Sequence, residues 1–245
     1  MGCTAQTQPG ATVTETGETT PIEATTAADE ADFQMVTVLE NLEHPWGLAW
    51  LPDGELLITE RPGRLRIARE GVLDPTPIPG LPEIFAQGQG GLLDIALHPD
   101  FAENRLVYFS YAHGDSSANR TRIARATFDG ETLNDWEVIF EVSQPKSRAQ
   151  HFGSRLAWLP DGTLLVSIGD GGNPPTAIDG EFIRQQAQNR SSHLGKVLRL
   201  HDDGSIPADN PFVEDTEAAP EIWSYGHRNI QGLAIDPETE QVWAT

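Results

Sequence analysis

Lysine is nearly missing from this sequence: of 16 basic residues only Lys146 and Lys196 are lysines, and no basic residue precedes Arg61. Against them stand 37 Asp and Glu, giving a formal charge of −21 at neutral pH. So acidic a chain does not bind nucleic acid through bulk charge, and it has no polybasic segment for an anionic membrane surface. Long apolar runs are also missing. None approaches the roughly 18 residues of a transmembrane helix, so no spanning segment is expected. Cysteine is reduced to Cys3 alone, which excludes an internal disulfide and a thiolate zinc site. What remains is 38% hydrophobic and 22% charged over 245 residues, a globular composition long enough for one large or two ordinary domains.

The first 34 residues differ from the rest. They hold nine threonines in the first 26 positions, several Glu and Ala, and almost no bulky apolar side chains. Such a segment cannot bury enough surface to order itself, so residues 1–34 are expected to form a disordered tether and residues 35–245 the folded domain. Gly2-Cys3 ahead of a tether resembles the processing site of a bacterial lipoprotein, which implies a lipid anchor at Cys3 and a periplasmic or cell-envelope location. The alternative is a chance cysteine in an unordered tail.

From Met35 onward short β-type runs are punctuated by Pro-Asp, Asp-Gly and Pro-Gly. The clearest unit is Gly47-Leu-Ala-Trp-Leu-Pro-Asp-Gly-Glu-Leu-Leu-Ile-Thr-Glu60. Its Pro52-Asp53-Gly54 supplies the fixed and positive φ angles of a tight turn, so it reads as a β-hairpin. The unit recurs at 155–168, more loosely at 92–110, and once more at 232–245. Third strands are expected at Arg64–Ala68, Thr121–Thr127 and Lys196–Leu200. The turns at 52, 99, 160 and 236 lie 47, 61 and 76 residues apart, longer than a propeller blade of about 40–50 residues, so the excess falls in loops. Each sheet alone would leave an apolar face bare, and sheets arranged around a central axis resolve this best. A β-sandwich is the competing architecture. The last copy stops at its second strand with an unpaired edge, so the chain is expected to be truncated at its C terminus. The run Met35–Leu39 is then a candidate strand for closing the ring.

Four groups of residues could carry chemistry. His151 and Asp170 are symmetric about Pro160-Asp161, so an antiparallel hairpin should set them face to face. A carboxylate on one imidazole nitrogen raises the basicity of the other and makes a general base; the pair could equally be a structural hydrogen bond closing the hairpin. The same symmetry sets His44 against Glu60, read as a structural pair, and His98 and His227 are read as structural. The segments Gln87-Gly-Gln89-Gly-Gly and Gly226-His-Arg-Asn-Ile-Gln231-Gly lie at strand starts, where a propeller gathers its loops around one mouth. Arg228, Asn229 and Gln231 offer a cation and two amides suited to an anionic or carbonyl-bearing ligand. Alternatively the glycines only turn the chain and Arg228 serves a surface ion pair.

Taken together, His44-Pro-Trp-Gly-Leu-Ala, Thr59-Glu-Arg-Pro-Gly-Arg64, Gly88-Gln-Gly-Gly-Leu-Leu93, His98-Pro-Asp-Phe101, His151-Phe-Gly-Ser-Arg-Leu156, Ile168-Gly-Asp170, His193-Leu-Gly-Lys-Val-Leu-Arg199 and Tyr225-Gly-His-Arg-Asn-Ile-Gln-Gly232 resemble the soluble pyrroloquinoline-quinone (PQQ)-dependent aldose sugar, glucose and sorbosone dehydrogenases. The resemblance covers about residues 36–245. It implies an all-β, six-bladed β-propeller of which this chain holds about four blades. It also implies oxidation of the C1 hydroxyl of aldose sugars to the lactone, with hydride passing to PQQ and on to an external electron acceptor. In that scheme His151 is the base, Asp170 orients it and Arg228 polarises the quinone carbonyl. Asn229 and Gln231 hold the cofactor, and Gln89 positions the sugar. Calcium is implied too, with ligands expected beyond Thr245, so the chain alone is expected not to turn over sugar. The glucose-type members place a carboxylate before the histidine where this chain has Gln150, which points to the broader aldose group. The competing functions are a propeller lactonase or sugar hydrolase, and a non-catalytic ligand-binding propeller.

Overall fold

The computed structural model describes residues 34–178 and 180–245. Cys3 and nearly all of the expected tether lie outside the described residues. From Thr37 onward the chain forms one body built almost entirely of antiparallel sheet.

The first sheet contains β1 (Pro45–Trp50), β2 (Leu56–Glu60), β3 (Arg64–Arg69) and the short β4 (Val72–Leu73), paired in that order. The second contains β5 (Leu92–Leu97), β6 (Leu106–Gly114), β7 (Asn119–Phe128) and β8 (Leu133–Glu141), with a one-turn helix, α1 (Phe101–Asn104), between its first two strands. The third contains β9 (Gly153–Trp158) and β10 (Leu164–Ile168). After a two-stranded ribbon, β11 (Ala177–Ile178) and β12 (Glu181–Phe182), and a 3-10 turn at Ile183–Gln188, it is completed by β13 (Lys196–Leu200) and β14 (Ile222–Tyr225). A fourth begins with β15 (Leu233–Ile235) and β16 (Val242–Ala244). The first strand of each sheet lies beside the first strand of the next, the radial order of a β-propeller. The expected third strands are all present. Met35–Leu39, expected as a strand, has no strand pairing; instead Leu39 packs with Leu42 and Leu73 against Leu56, Ile58 and Ala68.

The core lies between the sheets. Leu57, Leu65 and Ile67 of the first sheet meet Leu92, Ile95, Val107 and Phe109 of the second. On the other side of the second sheet, Tyr108 and Ile123 meet Leu156, Leu164, Val166 and Leu198 of the third. Inner strands packed on both faces, such as β2, β10 and β13, are buried along their whole length.

A repeated irregularity ties the sheets together. In each of the three complete sheets the first strand carries two residues opposite one on the second: Trp46 and Gly47 opposite Thr59, Leu93 and Asp94 opposite Ser110, Ser154 and Arg155 opposite Ser167. Such a β-bulge leaves an N–H out of the ladder, and the facing hydroxyl accepts it. Gly47, Asp94 and Arg155 donate to Thr59 Oγ1, Ser110 Oγ and Ser167 Oγ at 2.8, 2.9 and 2.9 Å. Each hydroxyl then donates to a backbone carbonyl in the following repeat, Leu93, Ser154 and Ile230 at 2.6, 2.6 and 3.2 Å.

Both lysines are buried, Lys146 at 4% and Lys196 at 0% exposure. The Lys146 ammonium stands 3.2 Å from the centre of the Phe152 ring and donates to Asn119 Oδ1 at 3.0 Å; burial pushes it down to about 7. Lysine-directed acylation of the native chain is therefore expected to leave both side chains unmodified, whereas the chain unfolded in denaturant takes up two lysine labels. Peptide mass spectrometry reads this directly, and rapid native labelling at either position would contradict the packing.

Candidate active site

The loop before β9 and the loop after β10 bring His151 and Asp170 together. His151 Nδ1 lies 2.6 Å from Asp170 Oδ1, with the two side chains 7% and 5% exposed. The simple symmetry argument succeeds here for a reason it does not contain. The hairpin turn pairs Leu164 with Trp158, a register that would set Asp170 against Phe152; the bulge at Ser154–Arg155 shifts the pairing by one residue, to Gly153 opposite Ile168, and so to His151. The same shift corrects the reading of His44. Beyond the first bulge Glu60 pairs with Pro45 and His44 is exposed. The fully buried Glu60 carboxylate instead accepts from Arg64 Nε at 2.6 Å, from the Glu43 N–H at 2.6 Å and from Arg66 at 3.3 Å. Burial pulls Glu60 upward, and these bonds, Arg64 first, outweigh it and hold the carboxyl below its ordinary range.

Asp170 Oδ1 also accepts the Gly172 N–H at 2.9 Å, and the Asp170 N–H donates to Arg228 O at 2.7 Å. A carboxylate only accepts, so Nδ1 of His151 carries the proton of this bond, and in the neutral imidazole Nε2 is then the acceptor. The Arg228 guanidinium donates to Asn173 Oδ1 at 3.0 Å, and among the described residues no carboxylate pairs with it. Arg228 is thus a cation whose backbone is bonded to the dyad carboxylate's own residue.

Gln89, Asn229 and Gln231 converge on the segment that carries His151. Gln89 Oε1 accepts the His151 N–H at 2.8 Å, Asn229 Oδ1 accepts the Gly153 N–H at 3.0 Å, and Gln231 Nε2 reaches Gly153 O at 3.4 Å. These amides also line, with Trp46, Arg61, Leu93 and the 152–153 backbone, a cavity of about 270 Å³. The His151 imidazole is not part of that lining. A second hollow of about 430 Å³ is lined by Arg228 and Asn229 with His227 and Ile230, so Asn229 borders both. The glycines around Gln89 pack closely against neighbouring backbone. A Cβ on Gly88 would stand 2.5 Å from Ala149 O, and one on Gly91 would stand 2.2 Å from Arg61 O.

Two residues, Asn173 and Arg155, escaped sequence reasoning. Asn173, which holds Arg228, sits in a loop with no repeat to flag it. Gln150 lies against that loop, its Oε1 3.5 Å from the Asn173 N–H. Arg155, on the bulge of β9, bonds Asp94 Oδ1 at 2.9 Å and Gln231 O at 3.1 Å and stacks over Trp46 at 4.6 Å, joining residues of four repeats. Burial raises the Asp94 carboxyl despite Arg155 and the Leu156 N–H bonded to it. A signal for the bulge was present: Thr59, Ser110 and Ser167 occupy the same step of the repeated hairpin.

His98 and His227, read as structural, have structural partners. His98 Nδ1 accepts from the Asp100 N–H at 3.0 Å and from Asn104 Nδ2 at 2.8 Å, and His227 Nε2 lies 2.9 Å from Ser224 Oγ. Among the described residues no helix is long and apolar enough to cross a membrane, and no group of three or more His, Cys, Asp or Glu side chains is arranged to hold a metal ion.

Comparison with known proteins agrees with this geometry. Residues 42–245 match the family model described as Glucose / Sorbosone dehydrogenase. The chain is 67% identical over 226 residues to the uncharacterised protein slr1608 of Synechocystis, covering 89% of this chain and 55% of that protein. It is 38% identical over 220 residues to the aldose sugar dehydrogenase YliI of Escherichia coli, covering 88% and 57%. It is similar in structure to the PQQ-bound aldose sugar dehydrogenase of Streptomyces coelicolor, with a TM-score of 0.70, 33% identity, and 86% and 58% coverage. The chain therefore spans little more than half the length of these relatives. With three four-stranded blades, the start of a fourth, and residues 42–245 matched by the family's model, the chain belongs to the Glucose / Sorbosone dehydrogenase family.

Proposed function

We propose that this chain carries the proton-abstracting half of a PQQ-dependent aldose sugar dehydrogenase that oxidises the C1 hydroxyl of a cyclic aldose to the lactone. The observation that carries the reading is the buried His151–Asp170 pair with Arg228 bonded through its backbone to Asp170. PQQ, when bound, supplies the hydride acceptor, and an external acceptor then removes the two electrons. Asp170 fixes the imidazole so that Nε2 takes the proton from the sugar O1 as the C1–H bond breaks. Arg228, with no carboxylate partner among the described residues, suits the carbonyl edge of an anionic quinone and stabilises negative charge developing there. Gln231 fits the same ligand, since its Nε2 makes only long bonds of 3.3 and 3.4 Å, and Asn229 stands beside both hollows. Gln89 offers its remaining amide group to the sugar. The described residues do not assemble a calcium site, and no step is assigned to that ion.

Two observations favour this over the rival readings. The carboxylate on the inner strands, Asp94, is held by Arg155 rather than offered to a hydrolytic metal, and a pure binding module has no need of an oriented imidazole. An exported location with Cys3 acylated suits the acidic, threonine-rich start of the chain; mass spectrometry of the membrane-extracted protein tests it.

Sugar-dependent dye reduction is expected from the protein extended to its relatives' full length and supplied with PQQ and calcium, and not from the 245-residue chain alone. Turnover by the chain alone would refute the division of labour. Failure of the extended protein to reduce dye with any aldose, while it binds PQQ, would remove the dehydrogenase reading.

A further inference from the structure

The backbone that presents His151 is strained. His151, Gly153 and Ser154 all have positive φ, at 47°, 67° and 88°, and a non-glycine residue there costs on the order of 1–2 kcal/mol. Residue 169 beside it must be glycine, because a Cβ would stand 2.0 Å from His151 O. Nothing within the third repeat's own ladder satisfies the two N–H groups of this segment. Their acceptors come from its two neighbours: Gln89 Oε1, before β5, for His151, and Asn229 Oδ1, before β15, for Gly153.

We propose that Gln89 and Asn229 are positioning residues that act through His151, clamping its left-handed backbone from the repeats on either side so that the imidazole meets Asp170. The inference rests on the reading of His151 as the base, and it deepens that reading. Each amide spends its oxygen on the backbone and keeps its NH2 group for the cavity. The oxygen and nitrogen ends therefore have separable duties. Gln89→Glu keeps an acceptor for the His151 N–H and loses the amide donor, whereas Gln89→Leu loses both; Asn229→Asp and Asn229→Ala divide the same way.

The test uses the ligand-free protein, so it does not depend on turnover. Two signals are followed: hydrogen exchange of the His151 and Gly153 backbone amides, and the downfield proton resonance of the Nδ1–H bond to Asp170, identified by its loss in His151→Gln. Gln89→Leu is expected to speed exchange at His151 about tenfold, the loss of one buried hydrogen bond, and to broaden the dyad resonance. Gln89→Glu should leave both close to wild type. Exchange and resonance unchanged in Gln89→Leu would overturn the clamp and leave Gln89 as a ligand contact only. Should Gln89→Leu fail to fold, loss of both signals in a folded Gln89→Glu would overturn it equally. A protein with wild-type signals that responds normally to these variants but never oxidises sugar would instead refute the dehydrogenase reading while keeping the clamp.

Discussion

Replacing His151 by alanine in the extended, PQQ-loaded protein is expected to lower the rate of sugar oxidation by about two to four orders of magnitude, the usual worth of a positioned general base. Quinone binding should persist, because Arg228, Asn229 and Gln231 do not contact the imidazole through any observed hydrogen bond. The measurement is steady-state dye reduction alongside quinone titration. Asp170→Asn should fall in the same direction, since an amide can present either end to Nδ1 and no longer fixes which ring nitrogen bears the proton. A His151→Ala enzyme that keeps its rate would require another base. Among the described residues no second histidine is paired with a buried aspartate, the nearest parallel being His193, 3.1 Å from Glu221.

The second large effect concerns Lys196, whose ammonium lies fully buried at the end of β13. It donates to three backbone carbonyls, Gln186 at 2.9 Å, Ala187 at 3.1 Å and Leu194 at 2.7 Å. Those carbonyls belong to the 3-10 turn and the loop that follows it; Gln186 O also accepts the Asn189 N–H at 3.0 Å and Ala187 O the Gly226 N–H at 2.9 Å, whereas Leu194 O depends on the lysine. Lys196→Met is expected to cost about 1–3 kcal/mol of unfolding free energy, because Leu194 O loses its donor and the other two carbonyls lose a bond to a charged group. Burial pushes the amine down to about 8, while in the unfolded chain it stays near its ordinary value of about 10.4. Between those values the unfolded chain holds more protons, so this residue's contribution to stability rises with pH. The gap between wild type and Lys196→Met should therefore widen from about pH 8 towards pH 10, and urea melts across that range check it. A gap that narrows would mean that the amine stays charged in the folded chain.

Much of the architecture is legible in the amino-acid order because it is local. Pro52-Asp53-Gly54, its copies, and the alternation on either side determine each hairpin through turn chemistry and side-chain period alone. The His151–Asp170 pairing was readable for the same reason, with a one-residue bulge compensating for a hairpin register that differs by one residue from the expected one. Where that compensation does not help, at His44, the local argument fails, and Glu60 is claimed by Arg64 and Arg66 from the adjoining strand. Met35–Leu39 forms no strand among the described residues, because a run with β propensity needs a partner edge.

By itself the sequence determined the repeated hairpins, the acidic and nearly lysine-free composition, and which side chains could act as base, orienting acid and cation. Only the tertiary structure decided how those side chains are held. The hydroxyl clips from Thr59, Ser110 and Ser167, the Arg155 junction with Asp94 and Trp46, and the amides of Gln89 and Asn229 on the His151 segment all join residues of different repeats. Contacts of that kind leave no local period in a chain; they exist once the sheets are packed around their axis, where backbone groups left over in one sheet find their partners in the next.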